Sequence, residues 1–295
     1  MPAREQVAPH TDAGMKPAAF DRFCAIARER AGLDLRPGKE MLVAARVARR
    51  QRALGIPSVD DYLEYLESEQ NGGELYAFID AVTTNYTSFF RESEHFEILH
   101  RFLTDCSAEG QRRFRLWSSA AASGEEPYSM AMTALEALGT TEVDVKILAT
   151  EISTNALERA KIGRYDHQAA RLLKENGRMR FVARVRLDGG GTALEIRPEV
   201  RALVVLRHLN LSQLPLAIHG PLDVVFCRNV LIYFGAELRD ALLRNIVKLL
   251  RPGGMLITGH SESLVASSLG LAAIKPSIYR KPDSSRTGHG CNYGR

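Results

Sequence analysis

The sequence has few cysteines, one tryptophan and no long apolar run. The four cysteines, Cys24, Cys106, Cys227 and Cys291, form no C-x-x-C pair and have no histidine at ligand spacing, so we expect neither a metal site nor a disulfide framework. No stretch reaches the roughly 18–20 apolar residues that a membrane-spanning helix needs. The polar residues 1–16 lack a signal-type apolar core. These absences predict a cytoplasmic protein that does not insert into a membrane.

Neither sign of charge is in large excess, since the net charge is only +4 over 295 residues. The chain shows no interleaving of basic and aromatic residues on one surface and no recognised nucleic-acid-binding module. We therefore expect no nucleic-acid partner. The length and the 45% hydrophobic content allow two domains, or one large α/β domain with an appendage. A monomer is the expected state.

Residues 17–83 have helical periodicity and contain no β-type run. Ser58 is placed to cap the start of one of these helices. The pattern predicts an all-helical domain over 17–83, preceded by a flexible tail over 1–16. After a first helix, three further helices of this domain are predicted at 38–54, 59–66 and 75–82.

Beyond residue 83, short apolar runs alternate with amphipathic segments, as in βαβ units around a parallel sheet. The pattern predicts a doubly wound α/β domain over 84–281. Its strands are predicted at 114–118, 145–150, 222–227 and 255–259. Helices are predicted near 128–138, 154–162 and 237–250.

A small antiparallel β-subdomain is predicted within this α/β domain, at about 180–207. Helical periodicity is absent there, and the turn Asp188–Gly191 lies among β-like runs. The polar, glycine-containing residues 282–295 predict a flexible C-terminal tail. The three β-like runs are 180–186, 193–197 and 203–207.

The segment Leu116–Ser129 joins a predicted strand to a predicted helix through residues with very small side chains. In a doubly wound sheet, ligands bind at the carboxyl ends of the first strands, and a bare backbone allows close approach there. Gly124 is the only glycine of the segment, and no Lys or Arg is present to hold a phosphate. The acidic Glu125 and Glu126 suit a cationic ligand. Tight packing of helix on strand is the alternative interpretation.

Polar residues also end two other predicted strands. Glu151 stands where α/β cofactor folds place a carboxylate that binds ribose hydroxyls, although a carboxylate here also suits a helix N-terminus. Arg228 and Asn229 follow a hydrophobic strand, and a buried charge there needs a partner. Between the two domains, Thr83–Arg91 combines hydroxyls, an amide, a cation and two phenylalanines. A linker whose phenylalanines fill a core is the alternative for that segment.

Four segments resemble, in order, the chemotaxis receptor glutamate O-methyltransferase (CheR-type) family. They are Thr83–Arg91, Trp117–Ser129, Phe226–Phe234 and Leu250–Glu262, and the likeness extends over about 18–281. The resemblance implies a Rossmann-like methyltransferase fold that binds S-adenosylmethionine and releases S-adenosylhomocysteine. It also implies esterification of glutamate side chains on the helical bundle of a methyl-accepting chemotaxis receptor.

The same resemblance implies roles for individual residues. Arg91 and Tyr233 match residues near the transferred methyl group, and they are the predicted catalytic residues. Glu151 stands where the family usually has Asp, and Ala122–Gly124 replaces its usual Ser-Thr-Gly. The positions that match contacts to S-adenosylmethionine are Asn85, Thr87, Arg91, Glu126, Glu151, Asn210, Leu211, Arg228 and Asn229.

The predicted helix 38–54 is rich in basic residues, and we interpret it as a surface that contacts the carboxylate rows of the receptor. A solvated helix face is the alternative. The inserted β-subdomain is suited to strand addition by a receptor peptide, which the sequence leaves open. The predicted receptor-binding residues are Lys39, Arg46, Arg49 and Arg50.

Two other functions remain open at this stage. One is a sensor that binds the cofactor and docks on a receptor without catalysis. The other is a methyltransferase of the same fold that acts on a small acid or a nucleic acid. The strand that ends in Arg228-Asn229 lacks the Asn/Asp-Pro-Pro-Tyr motif of base-methylating enzymes, which counts against the nucleic-acid substrate.

Overall fold

The computed structural model describes residues 15–35, 38–68, 72–83, 86–139, 143–175, 177–187, 189–262, 264 and 266–283. The helices are α1 (Pro17–Ala31), α2 (Glu40–Leu54), α3 (Val59–Glu67), α4 (Gly72–Val82), α5 (Glu94–Ala108), α6 (Glu125–Leu138), α7 (Thr154–Ile162), α8 (His167–Glu175), α9 (Pro198–Arg201) and α10 (Ala236–Leu249). The strands are β1 (Arg113–Ser118), β2 (Asp144–Glu151), β3 (Arg164–Tyr165), β4 (Val182–Arg186), β5 (Thr192–Ile196), β6 (Val204–His208), β7 (Leu222–Cys227), β8 (Leu250–Thr258), β9 (Ala272–Lys275) and β10 (Ile278–Arg280).

Helices α1 to α4 pack into a bundle around aromatic side chains. Phe23, Tyr62 and Phe78 are fully buried at its centre. The Ser58 hydroxyl accepts a hydrogen bond from the Asp61 N–H at 3.0 Å, which caps α3 as the sequence predicts. The all-helical N-terminal part is thereby confirmed.

A seven-stranded sheet in the order β6-β2-β1-β7-β8-β10-β9 forms the rest of the core. Strands β6, β2, β1, β7 and β8 pair in parallel. Strand β10 pairs antiparallel with β8, and β9 pairs antiparallel with β10. Strand β7 is buried throughout because it is covered on both faces. Val224 and Phe226 pack with α5 and α6, whereas Val225 and Cys227 pack with α10 and the N-terminal helices. The doubly wound α/β fold is confirmed.

The small antiparallel sheet is present, but one of its predicted strands belongs elsewhere. The sheet has the order β3-β5-β4. The run 203–207 was assigned to it from the sequence, and that assignment is wrong: β6 pairs in parallel with β2, with Ile147 opposite Val204. An isolated β-pattern does not indicate which sheet the strand joins, and β3 supplies the third strand instead. The short helix α9 also interrupts the region.

Several predicted features lie outside the described residues. They are Asp188 of the β4–β5 turn, residues 1–14 of the N-terminal tail and residues 284–295 of the C-terminal tail. Within the described part of the chain, no helix combines the length and apolarity that crossing a membrane requires.

Candidate functional site

A cleft opens at the carboxyl ends of β1, β2 and β7. This is the edge where doubly wound sheets bind ligands. Asn85 lies outside the described residues. The cleft is lined by all the other predicted cofactor and catalytic residues, namely Thr87, Arg91, Glu126, Glu151, Asn210, Leu211, Arg228, Asn229 and Tyr233.

Glu151 organises the small-residue loop at the end of β1. Its Oε2 accepts a hydrogen bond from Ala122 N at 2.9 Å, and its Oε1 accepts from Ile152 N at 2.9 Å and Ser153 N at 3.0 Å. Burial raises the pKa of the Glu151 carboxyl, and the three backbone N–H groups oppose that rise. The carboxylate therefore fixes the loop while also lining the cleft.

Small side chains in the β1–α6 loop serve packing as well as ligand approach. Gly124 has a φ of 101°, and a Cβ atom there would lie 2.8 Å from Tyr165 Oη and 2.9 Å from Ala160 Cβ. Tyr165 Oη donates to the Ser123 carbonyl at 2.8 Å. The two interpretations of this loop therefore coexist.

Arg228 is a buried cation held between two carboxylates. Its side chain is 1% exposed. Its Nη1 lies 3.1 Å from Glu126 Oε2, and its Nη2 lies 3.1 Å from Glu92 Oε2. Nη2 also donates to the Arg91 carbonyl. Burial raises the pKa of the Glu126 carboxyl. The charge of Arg228 and a 2.7 Å hydrogen bond from Ser118 Oγ oppose that rise. The network ties the end of β7 to the segment that carries Arg91.

Glu262 has a positioning role that the sequence did not reveal. Its Oε2 accepts hydrogen bonds from Asn229 N at 2.6 Å and Gly259 N at 2.8 Å, and its Oε1 accepts one from Ile232 N at 3.3 Å. Asn229 has a φ of 56°, a conformation that L-residues rarely adopt. The buried carboxylate of Glu262 therefore stabilises the turn that directs Asn229 and Tyr233 to the cleft. The only signal in the sequence was its place in the Gly-His-Ser-Glu segment.

The predicted catalytic residues lie at the cleft wall. Arg91 Nη1 donates to the Tyr86 carbonyl at 3.0 Å, and the Arg91 guanidinium lies 5.6 Å from the Tyr86 ring centre. Tyr233 is half-buried, and Lys39 Nζ is 5.6 Å from its ring centre. Arg91 thus lines the cleft, and Lys39 lies beside Tyr233, another residue of its lining.

The N-terminal helices form one wall of the cleft through Ala31 and Leu33. Asn210 joins this wall to the sheet, because its Nδ2 donates to the Arg30 carbonyl at 2.7 Å. Its Oδ1 accepts from Ser212 N and Ser212 Oγ at 2.9 and 2.7 Å. The Asn210 side chain therefore holds α1 against the loop after β6.

Two of the four predicted receptor-binding residues have partners inside the helical bundle. Arg46 Nη1 donates to the Ala81 carbonyl at 2.7 Å, and Arg50 makes hydrogen bonds of 2.9 and 2.6 Å to the two oxygens of Glu74. Arg49 is exposed, and Lys39 is half-buried. The basic stripe of α2 thus divides between α4 and solvent.

Comparison with known proteins identifies both parts of the chain. Residues 18–83 match the family described as "CheR methyltransferase, all-alpha domain", and residues 85–277 match "CheR methyltransferase, SAM binding domain". The "Chemotaxis protein methyltransferase" of Escherichia coli K12 is 40% identical over 246 residues, covering 83% of this chain and 84% of that protein. The protein of that description from Klebsiella aerogenes is 41% identical over 246 residues, covering 83% of each chain. "Chemotaxis protein methyltransferase 2" of Pseudomonas aeruginosa is 39% identical over 248 residues, covering 84% and 87%.

The chemistry of the cleft fits S-adenosylmethionine, a sulfonium compound with ribose hydroxyls. Glu151 and Glu126 supply carboxylates, and the loop between β1 and α6 has no Lys or Arg that would select a phosphate. S-adenosylmethionine is therefore its ligand, and the chain belongs to the CheR methyltransferase family.

Proposed function

We propose that this methyltransferase esterifies glutamate side chains on the helical bundle of a methyl-accepting chemotaxis receptor in the cytoplasm. The products are glutamate methyl esters and S-adenosylhomocysteine. The relatives are named chemotaxis protein methyltransferases, which supports a receptor substrate. The observation that carries the proposal is the presence of cationic groups at the cleft: Arg91 lines it, and Lys39 Nζ lies 5.6 Å from the ring centre of Tyr233, which also lines it. Cationic groups in these positions suit an anionic acceptor.

The reaction requires little proton transfer from the protein. Bound S-adenosylmethionine supplies an activated methyl group, and a glutamate carboxyl with an ordinary pKa of about 4.3 is ionised at neutral pH. No strong general base is therefore needed. The protein contributes orientation, which is worth up to roughly 7–11 kcal/mol in favourable cases, and removal of water from the carboxylate.

We assign Arg91 to alignment of the acceptor carboxylate and Tyr233 to a hydrogen bond with one of its oxygens. Both line the cleft, and both are anchored through their main chains. The Arg91 carbonyl accepts from Arg228, and the Tyr233 carbonyl accepts from Asp34 N at 2.7 Å. This anchoring leaves the side chains as the adjustable part of the site.

We assign receptor contact to Lys39, which immediately precedes α2, and to Arg49 in α2, because Arg46 and Arg50 are engaged in the bundle. Arg49→Glu is expected to weaken receptor methylation steeply and to leave S-adenosylmethionine affinity unchanged. Lys174→Glu on the exposed end of α8 makes the same change of charge and serves as the control. Equal methylation by the two variants would remove α2 from the docking surface.

The decisive experiment is transfer of a radiolabelled methyl group from S-adenosylmethionine to receptor-containing membranes. We expect base-labile label on the receptor, as methyl esters give, and loss of this label with Arg91→Ala. Cofactor binding without transfer would indicate the non-catalytic sensor. Label on a small acid or on nucleic acid, and none on the receptor, would indicate the other alternative.

A further inference from the structure

A carboxylate and two imidazoles lie together behind the Arg228 network. They belong to Glu92 and His95, at the start of α5, and to His260, just beyond β8. One potential ligand atom from each residue lies within 4.8 Å of those of the other two. The methyl transfer described above uses neither histidine.

The buried ring of His95 has a nitrogen without a hydrogen-bond partner. His95 is 0% exposed, and its Nε2 lies 2.9 Å from Ser277 Oγ. The Ser277 hydroxyl donates its proton to the Pro276 carbonyl at 2.6 Å. With the one proton of the hydroxyl committed to Pro276, the matching ring tautomer carries its proton on Nε2 and donates it to Ser277. His95 Nδ1 is then a bare lone pair.

This lone pair faces a carboxylate oxygen. His95 Nδ1 is a buried atom without a hydrogen-bond partner, and it lies 3.4 Å from Glu92 Oε2, which also pairs with Arg228 Nη2 at 3.1 Å. Two acceptors left facing each other are costly, and a cation shared by both removes that cost. In a tetrahedral site with metal–ligand bonds of about 2.1 Å, neighbouring ligand atoms are about 3.4 Å apart. The two buried atoms already have this spacing.

The surroundings complete a metal site. The hydrogen bond from His95 to Ser277 is the outer contact that typically orients a metal-binding histidine. His260 is exposed, and its ring centre lies 4.9 Å from that of His95, so a change of side-chain rotamer supplies a third ligand from the solvent side. Two imidazoles and one carboxylate, with a fourth position for water, favour Zn²⁺ over Mg²⁺ or Ca²⁺.

We propose that Glu92, His95 and His260 form a Zn²⁺ site, and that its occupancy lowers S-adenosylmethionine binding. Glu92 Oε2 is also the atom that lies 3.1 Å from Arg228 Nη2, so the metal and the guanidinium compete for it. The sequence predicted no metal because His260 is remote from the other two residues in the chain.

Calorimetric titration of ZnCl₂ into the EDTA-treated, dialysed full chain tests the site. Cys24→Ser and Cys291→Ser are introduced throughout so that these thiols do not compete. We expect one bound Zn²⁺, binding at least about tenfold weaker with His260→Ala, and unchanged binding with the exposed control His219→Ala. Equal affinity and stoichiometry in the parent and His260→Ala, or no heat at all, would refute the site. The cluster would then be a proton-sharing pair of Glu92 and His95.

Two further readouts do not depend on the receptor substrate. Co²⁺ bound at this site should give the visible absorption of a tetrahedral complex, and His260→Ala should abolish it. Equilibrium dialysis of S-adenosylmethionine with saturating Zn²⁺ should show weaker retention by the parent and no Zn²⁺ effect on His260→Ala. If Zn²⁺ binds and retention is unchanged, the proposed competition for Glu92 is wrong.

Discussion

Gly259→Ala is expected to weaken S-adenosylmethionine binding through Asn229. A Cβ atom at residue 259 would lie 2.5 Å from Asn229 Nδ2, 2.8 Å from Glu262 Oε2 and 3.0 Å from Asn229 N. Cβ atoms essentially never approach other atoms closer than 3.0 Å, so the amide must move by at least the difference of 0.5 Å. The left-handed backbone of Asn229 leaves little freedom to absorb this movement.

The size of the effect follows from the packing. Adding a methyl group to a close-packed region costs about 1–3 kcal/mol. Displacement of a site residue by about 1 Å changes function by up to about a hundredfold. We expect S-adenosylmethionine to bind about 10–100-fold more weakly, which corresponds to about 1.4–2.8 kcal/mol. Calorimetric titration measures the affinity, and fluorescence of the only tryptophan, the buried Trp117, reports unfolding.

Gly73→Ala is the matched control. Residue 73 lies in α4, and a Cβ atom there would have no neighbour within 4 Å. Ala should raise stability by about 0.5–1 kcal/mol, because glycine is unfavourable within a helix, and should leave cofactor affinity unchanged. A folded Gly259→Ala protein that binds S-adenosylmethionine within twofold of the parent would refute the role assigned to this contact.

Three other outcomes are expected. Arg50→Ala should lower the free energy of unfolding by roughly 2–3 kcal/mol, because it leaves the buried carboxylate of Glu74 without its ion pair. The exposed control Arg49→Ala should change it by less than about 0.5 kcal/mol. Urea titrations followed by circular dichroism measure both values. Arg91→Ala should lower kcat for receptor methylation at least about tenfold with an unchanged unfolding midpoint. Burial, reinforced by the charge of Arg228, lowers the pKa of His95 from 6.5 to about 4. The neutral form of His95 therefore contributes its full stabilisation above pH 6.5. Roughly 3 kcal/mol of the free energy of unfolding should be lost as the pH falls from 6.5 to 4, measured in EDTA. His95→Gln should flatten that part of the stability profile.

Elements with strong local signals could be predicted from the sequence. Helix α7 has the predicted limits because Ser153 Oγ accepts from Ala156 N at 3.0 Å and Gly163 ends the helix in a left-handed conformation. Strand β7 was predicted at its observed limits because all its residues except Asp223 are apolar. Strand β6 was assigned to the wrong sheet because pairing between strands depends on residues far apart in the chain.

The site was predictable where its residues follow a buried strand. Glu151 was found because α/β cofactor folds place a ribose-binding carboxylate at the end of the second strand, and Arg228 because a charge at the end of a hydrophobic strand needs a partner. Glu262 was not found, because its contacts to Asn229 arise only when the segment after β8 folds back on β7. The contact of Arg50 with Glu74 was equally hidden, because helical spacing shows which residues share a face but not which face meets another helix.

The helical bundle and the sheet both line the cofactor cleft, which would link the proposed receptor contact to cofactor binding. The turn after α1 supplies Leu33 to the cleft wall, and it is fastened by the hydrogen bond from Asp34 N to the Tyr233 carbonyl. Gly32 permits close packing of this turn on α10, because a Cβ atom there would lie 2.4 Å from Leu238 Cδ2. Lys39, just before the basic helix α2, places its Nζ 5.6 Å from the centre of the Tyr233 ring. A receptor that contacts Lys39, as we propose, would therefore act directly beside Tyr233, which lines the cofactor cleft.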